Sequence, residues 1–227
     1  MRRTEFVLSA VMVTFFCATA AAQQRVIGIY GTVARPIGEF QQFVELGGGF
    51  GAYGLFNLDR SGHVGLRLDG TFVIYGHERY TAPLSLTVPR VVVDVNTNNF
   101  IATLAAGPQL TLGRGALRPY VFGTVGLAYF ATVSSVGGTA RYGDFGSSTN
   151  FDDVALALSA GGGLLIRLSR GRHPVSLDLV AQTTHHGEVE YLTRGDIVDN
   201  PDGSITIFPI RSQTNLVTFR VGVLIGL

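Results

Sequence analysis

The sequence predicts an all-β protein, with eight antiparallel strands closed into an up-and-down barrel. Three observations support this fold class. Hydrophobic residues make up 46% of the 227 residues and charged residues only 15%, a composition too apolar for a disordered chain. The 30 glycines favour strands and turns over helices, whose interiors glycine destabilises. Apolar and polar residues also alternate along several long segments, and a period of two is typical of strands.

The charge balance of the chain argues against nucleic-acid binding. The 17 basic residues are all Arg and face 16 acidic residues, which gives a net charge of +1. A nucleic-acid-binding protein would carry a strong basic excess, so we expect no nucleic-acid partner.

The glycine-rich stretch 47–51 lacks the Lys-Ser/Thr pair of a phosphate-binding loop and lies in a predicted strand. We therefore predict no cofactor.

Residues 1–22 have the features of a cleaved secretory signal peptide. Arg2 and Arg3 give a positively charged start, the segment 6–17 is apolar, and small residues at 20–22 suit a cleavage site. The apolar segment, at about 12 residues, is too short to cross a bilayer as a helix. Cleavage removes Cys17, the single cysteine, so the exported domain, residues 23–227, has to fold without a disulfide.

The alternation defines strands whose two faces differ sharply. Eight strands are predicted at about 25–34, 43–56, 63–76, 99–113, 117–134, 153–168, 174–191 and 214–227. In the last of them one face carries Val217, Phe219, Val221, Val223, Ile225 and Leu227, and the other carries Thr218, Arg220, Gly222, Leu224 and Gly226. Each segment supplies the roughly 9–11 residues that a tilted strand needs to cross a bilayer.

The residue types on the two faces indicate which face meets which solvent. The apolar face is aliphatic and carries no charge, whereas a water-exposed surface is about 25–35% charged residues. The opposite face is rich in Gly, Ala, Ser and Thr with isolated Arg and Asp, which suits the narrow interior of a small barrel. We therefore predict that the apolar face meets lipid and the polar face lines the lumen, as in a transmembrane β-barrel.

Connection lengths support the same architecture. The connections after the second, fourth and sixth predicted strands are short, whereas 77–98, 135–152 and 192–213 are long. Short turns on one side and long loops on the other are typical of outer-membrane barrels. The loops 77–98 and 192–213 contain further strand-like pieces, so ten strands are an alternative. Eight are favoured because each piece is only about five or six residues long, below the roughly 9–11 needed to span.

One recurrent pattern connects the chain to a known family. Arg118-Pro119-Tyr120-Val121-Phe122-Gly123 runs into Gly126-Leu127-Ala128-Tyr129, and the chain finishes in an alternating strand. On these features residues 23–227 resemble the bacterial outer-membrane β-barrel proteins of eight strands, such as the OmpA-, OmpX- and OmpW-type barrels. The resemblance implies a bacterial outer-membrane location, contact with membrane lipid and lipopolysaccharide, and insertion by the outer-membrane assembly machinery.

Two features depart from that family. Leu227 stands where the family usually has a terminal aromatic residue, and the chain has no Trp for an interfacial girdle. Six other aromatic residues are candidates for the girdle or the lipid face: Phe50, Phe56, Tyr75, Phe130, Tyr191 and Phe219.

The predicted lumen face contains both acids and arginines. The inward charges expected from the alternation are Glu45, Arg67, Asp69, Arg167, Asp178, Glu188, Glu190 and Arg220. Charges in a confined interior have to pair or meet water, since an isolated buried charge is very costly. We interpret them as a structural network that closes the lumen and fixes the strand register. A selective pore and a partly wet lumen are the alternatives.

The segment 185–190, His-His-Gly-Glu-Val-Glu, is the strongest candidate for catalysis or metal binding. Alternation places His186, Glu188 and Glu190 on one face, with about 6–7 Å between neighbours. A metal would need a further ligand from another strand, and no nucleophile accompanies the histidines. We therefore predict no metal site, no catalytic residues and no enzymatic activity, and interpret the segment as polar residues near the outer rim.

The sequence thus predicts a small integral outer-membrane barrel with a structural or surface-interaction role. The long loops 77–98, 135–152 and 192–213 are the candidate sites for an extracellular ligand, and an exposed strand edge there could bind a partner by strand addition. Two alternatives are transport of a small or hydrophobic solute and a soluble, exported, lipocalin-like binding barrel.

Overall fold

A computed structural model describes residues 25–83, 92–138, 144–193, 195–200 and 204–227. The predicted signal peptide, residues 1–22, lies outside the described residues. No helix in the described part of the chain is long and apolar enough to cross a membrane.

Strands dominate the structure. The first seven are β1 (Arg25–Ile37), β2 (Gly47–Asn57), β3 (Val64–Pro83), β4 (Val92–Thr111), β5 (Leu117–Gly138), β6 (Asp144–Arg167) and β7 (Val175–His186). Four short strands follow: β8 (Glu188–Tyr191), β9 (Ile197–Asp199), β10 (Ile205–Ile207) and β11 (Ile210–Gln213). The last is β12 (Asn215–Gly226), and a 3-10 turn, Phe40–Gln42, lies in the connection between β1 and β2.

Eight of these strands form a closed antiparallel barrel in the order β1-β12-β7-β6-β5-β4-β3-β2. Strands adjacent in sequence are adjacent in space from β1 to β7, and β12 closes the sheet by pairing with both β7 and β1. This arrangement confirms the predicted eight-stranded up-and-down barrel and excludes the ten-stranded alternative within the described residues. In the segment between β7 and β12, β8 pairs with β11 and β9 pairs with β10, both antiparallel.

The middle strands are longer than a membrane crossing requires. β3, β4, β5 and β6 contain 20, 20, 22 and 24 residues, against the roughly 9–11 that span a bilayer. The predicted long connections 77–98 and 135–152 consist mostly of strand in their described parts, because the β3–β4 and β5–β6 hairpins continue through them. Only their tips, 84–91 and 139–143, lie outside the described residues.

Short turns join the strands at the opposite end. In the β2–β3 and β4–β5 turns, Gly62 and Gly113 have φ angles of +67° and +73°, a backbone conformation that disfavours residues with a side chain. The barrel therefore has a short-turn end, which also holds Arg25 and Leu227, and a long-loop end.

An apolar belt covers the outside of the barrel. Every barrel strand contributes an exposed apolar side chain to it: Ile29, Phe50, Leu68, Leu104, Val125, Leu156, Leu179 and Val221. Val221 is 61% exposed whereas Arg67, on the opposite face of the sheet, is 0% exposed. The predicted inside-out arrangement is therefore confirmed. A water-soluble barrel would instead expose its polar face.

Four aromatic side chains form a ladder across the outer face of β2 to β5. The ring centroids are 5.7 Å apart for Phe50 and Phe72, 4.9 Å for Phe72 and Phe100, and 6.3 Å for Phe100 and Tyr129. Aromatic residues commonly mark the edge of the hydrocarbon layer in such barrels. The ladder supplies this feature in a chain without Trp, and sequence analysis identified only Phe50 of its members.

Arginine in place of Leu104, an exposed residue of the belt, tests the lipid-facing assignment. We expect Leu104→Arg to lower the free energy of unfolding by about 2–4 kcal/mol, since a charge would enter the hydrocarbon layer. Ser148→Arg, at an exposed position in the extension of β6, is the matched control and should have little effect. Folding titrations in phospholipid vesicles measure both, and equal effects would contradict the assignment.

Candidate functional site in the barrel interior

The interior of an eight-stranded barrel is only wide enough to be filled by side chains. Here two groups of residues fill it at different heights. We call the first the central network; it consists of Arg67, Asp69, Asp178 and Arg220 with Tyr30, Tyr53, Tyr120 and Gln109. The second, the aromatic cap, consists of Phe40, Tyr75 and Tyr191 at the long-loop end.

Asp69 on β3 accepts hydrogen bonds from several strands. The guanidinium of Arg67 donates to its Oδ2 from Nε at 2.9 Å and from Nη2 at 2.7 Å. Arg220 on β12 donates to the same oxygen from Nη1 at 2.9 Å, and the Tyr30 hydroxyl donates to Oδ1 at 2.6 Å. These charge-assisted bonds join β1, β3 and β12 across the lumen, and they compensate the desolvation of all three charged groups.

Asp178 on β7 forms the second acidic centre of the network. The hydroxyls of Tyr53 and Tyr120 donate to its two carboxylate oxygens, each at 2.7 Å. Tyr53 also connects this centre to the first, because the Arg67 guanidinium lies 3.5 Å from the centroid of the Tyr53 ring. A cation over an aromatic face is attracted by the ring quadrupole, which further stabilises the buried arginine.

The network is electrically balanced, because it contains two arginines and two aspartates that are all buried. Arg67 completes its hydrogen bonds by donating from Nη1 to Gln109 Oε1 at 3.1 Å. A buried charge without a partner would cost several kcal/mol in a low-dielectric interior, so neutrality is a condition for placing four charges there. The hydrogen bonds fix the relative positions of seven barrel strands, β1, β2, β3, β4, β5, β7 and β12.

Glycines make room for the tyrosines of the network. A Cβ atom at Gly51 would collide with the Tyr30 hydroxyl, and one at Gly163 would lie 2.6 Å from the Tyr120 hydroxyl. A Cβ atom at Gly28 would likewise collide with the Tyr53 ring. The interior holds these large rings because neighbouring inward positions carry no side chain.

The structure brings together four of the eight predicted lumen charges, Arg67, Asp69, Asp178 and Arg220, and separates the rest. Arg167 lies near the short-turn end and takes no part in the central network. Glu45 is wrong as a lumen charge because it is exposed in the connection between β1 and β2. Glu188 and Glu190 are wrong for another reason. Gly187 interrupts the strand between β7 and β8, so the alternation shifts and both carboxylates point outward.

The same interruption separates His186 from the two glutamates. His186 is buried with its Nδ1 hydrogen-bonded to the Thr214 carbonyl, and its ring meets Phe130 edge-on at 5.4 Å. Exposed Glu188 forms an ion pair with Arg211 at 2.9 Å instead. The predicted common face for these three residues is therefore wrong. The described residues contain no group of three or more His, Cys, Asp or Glu side chains that could hold a metal ion.

The aromatic cap lies above the central network. Phe40, from the 3-10 turn, meets Tyr75 and Tyr191 edge-on with centroid distances of 5.5 and 5.0 Å. The Tyr75 hydroxyl donates to the Leu192 carbonyl at 3.4 Å. Tyr75, Phe130 and Tyr191 are therefore interior residues, and their prediction as girdle residues is wrong. Sequence analysis did not identify Phe40, because the connection 38–46 contains several apolar residues and no alternation that singles it out.

The fold and the distribution of its residues define a transmembrane β-barrel of the outer-membrane type, with an apolar exterior and a polar, side-chain-filled interior. No protein-family model matches the chain, and a search of curated proteins finds no match.

Solved structures of bacterial surface proteins are similar to the chain. One is Ail, the attachment invasion locus protein of Yersinia pestis, in complex with the heparin analogue sucrose octasulfate. It is 12% identical, with 90% of this chain and 99% of that chain covered and a TM-score of 0.45. Neisserial surface protein A is also 12% identical, with 89% and 96% covered and a TM-score of 0.44. The barrel assignment itself rests on the strand pairing of this chain.

Removal of the Asp69 charge tests the central network. Asp69→Asn leaves Arg67 and Arg220 without their shared carboxylate, and we expect a loss of about 3–5 kcal/mol in the free energy of unfolding. Thr71→Val, which removes a neutral hydrogen-bonding neighbour of Asp69, should cost only about 1 kcal/mol. Urea titrations in lipid vesicles compare the two. Equal losses would show that charge pairing contributes nothing.

Two glycines of β2 form a matched pair for testing the packing of the tyrosines. Gly51→Ala would push the Tyr30 hydroxyl away from Asp69, and we expect destabilisation by about 1–3 kcal/mol. Gly48 lies on the outer face of the same strand, where an added Cβ meets nothing within 4 Å. Gly48→Ala should therefore be close to neutral. A larger loss at Gly48 than at Gly51 would contradict the packing described here.

Proposed function

We propose that the chain is a sealed integral barrel of the bacterial outer membrane, which acts at the cell surface through its long-loop end and conducts no solute. The observation that carries this proposal is the filled interior inside an apolar belt. The central network joins seven of the eight strands across the lumen, and the aromatic cap lies above it. Two obstructions in series disfavour passage of ions or solutes along the axis.

The apolar belt supports membrane lipid and lipopolysaccharide as the immediate neighbours of the barrel. A signal peptide at residues 1–22 would direct the chain to the outer membrane, where the assembly machinery inserts such barrels. The alternative of a soluble, lipocalin-like barrel would turn the belt, including Leu104, Leu156 and Val221, to water, and the cost of that exposure disfavours it. No observation favours solute transport.

The extension of the middle strands supports a role at the cell surface. β5 pairs with β6 from Leu117, which lies opposite Ile166, to Gly137, which lies opposite Asp144. The hairpin therefore continues beyond the belt. β7 pairs with β6 only from Arg167 to Ala157. Beyond that point β8 lies against β6, where the Glu190 N–H donates to Asp153 Oδ2 at 2.9 Å. Above Asp153 no strand of the described residues pairs with this edge. An unpaired edge is a template for adding a strand from a protein partner. We infer that this edge, in the extension of β6, is the principal interaction surface.

Conductance measurements test the seal. Purified protein that shows a heat-dependent gel mobility, and is therefore folded, is added to planar bilayers. We expect no stable conductance steps, because the central network and the aromatic cap obstruct the lumen. The same preparation after heat denaturation controls for detergent artefacts. Large, stable steps from the folded protein alone would contradict a sealed barrel.

Labelling of introduced cysteines tests which end faces outward. The predicted exported domain has no cysteine, so a membrane-impermeant maleimide reports a single introduced site. Ser147→Cys, exposed in the extension of β6, should react on intact cells. Ser61→Cys, exposed in the β2–β3 turn, is the matched control and should react only after permeabilisation. The reverse pattern would overturn the proposed orientation.

A further inference from the structure

The short-turn end of the barrel contains a cavity of about 480 Å³ that is surrounded by arginines. We call it the basic mouth. Its basic residues are Arg25, Arg118, Arg167, Arg170 and Arg172. Neither the central network nor the aromatic cap uses any of them, and their convergence calls for a separate explanation.

Four elements bring these arginines together: β1, β5, β6 and the β6–β7 turn. Arg118 and Arg167 lie at the ends of the neighbouring strands β5 and β6, where Leu117 pairs with Ile166. Arg170 and Arg172 belong to the β6–β7 turn, and Arg25 begins β1. The barrel closure thus concentrates side chains that are far apart in sequence. Like charges that converge on one cavity repel each other, and a bound anion would relieve that repulsion.

Among the described residues no acidic side chain lines the basic mouth, although Leu227, whose backbone carries the terminal carboxylate, does. No ion pair links any of its five arginines to an acid in the described part of the chain. Asp59 is the nearby acid, but its Oδ1 already accepts the backbone N–H groups of His63 and Val64 at 2.8 and 3.0 Å. Those hydrogen bonds lower the pKa of Asp59 and commit its carboxylate to the turn.

Arg118 provides a second, independent observation. Its Nη2 donates to the Gly62 carbonyl at 2.9 Å, yet its Nε is buried and has no hydrogen-bond partner among the described residues. Because Nε is enclosed by protein, a ligand in the cavity would have to meet the outer edge of the guanidinium instead. The hydrogen bond to Gly62 holds the guanidinium at the cavity wall, so that its charge faces an anion there.

The rest of the lining indicates what else the ligand contains. Val26, Leu55, Leu165 and Leu224 contribute apolar surface to the same cavity. A volume of about 480 Å³ falls in the range of roughly 300–1,000 Å³ typical of sites for small organic molecules. A bare inorganic anion would leave most of that space unfilled. The ligand should therefore combine an anionic group with an organic part.

We propose that the basic mouth binds a phosphate ester, with the phosphate held by Arg118 and Arg167 and the organic part against the apolar lining. Guanidinium groups match phosphate oxygens in geometry as well as charge, and several arginines together suit a group with more than one charged oxygen. The ester could be soluble or could be the headgroup of a phospholipid, and the two sources share this chemistry.

Calorimetry with glycerol 1-phosphate tests the soluble source, using full-length folded protein in a phosphate-free maltoside detergent. We expect saturable binding to the wild-type protein, weakened about tenfold by each of Arg118→Gln and Arg167→Gln, since each removes charge-assisted hydrogen bonds. Arg170→Gln, in an exposed turn, should also weaken binding without affecting the fold. Arg114→Gln is the matched control, because Arg114 lies at the same end but does not line the cavity.

Native mass spectrometry tests the lipid source by counting phosphatidylglycerol molecules retained by the same proteins, with diacylglycerol as the phosphate-free control. Retention of phosphatidylglycerol alone assigns the site to lipid, binding of glycerol 1-phosphate alone assigns it to a soluble ester, and either supports the proposal. Absence of both, or an equal loss in Arg114→Gln, would overturn it. The soluble arm is independent of the conductance and labelling results, so failure of the proposed function would be recognised separately.

Discussion

A strand that crosses a hydrocarbon layer must have every backbone N–H and C=O paired, because no water is present to replace a missing partner. The pairing of β12 with β1 satisfies this condition by leaving no strand edge in the belt. Closure with eight strands then fixes the diameter and leaves an interior that only side chains can fill. The apolar belt and the crowded interior are therefore two consequences of one constraint on the backbone.

The narrow interior also determines how the central network is built. Charges confined there must be neutralised, and Asp69 meets this requirement by forming ion pairs with both Arg67 and Arg220. Bulky tyrosines then bridge the remaining distance to Asp178, which is possible because glycines such as Gly51 and Gly163 leave space. Electrostatics and volume thus act on the same positions, and neither alone would explain the combination of buried charge, tyrosine and glycine.

Most of the barrel could be predicted because alternation in a pleated strand is a local property. Alternation alone identified the four buried charges of the central network, Arg67, Asp69, Asp178 and Arg220. Alternation no longer predicts the face of a residue where the strand is interrupted. Gly187 lies outside any strand, and this one residue moves Glu188 and Glu190 from the predicted inner face to the outer face. The aromatic cap and the basic mouth could not be predicted, since both depend on which residues closure brings together, and no local pattern in the sequence records that.

Closure also separates charge between the two ends. The central network is neutral, so the field of the barrel arises from its rims. Arginines such as Arg118 and Arg167 gather at the short-turn end, whereas acids such as Asp153, Glu188 and Glu190 lie at the long-loop end. An apolar wall of low dielectric separates the two rims, whereas water and salt screen each rim at its own surface. The charge of a rim therefore acts mainly at its own end, and each end should favour counter-charged partners on its own side of the membrane.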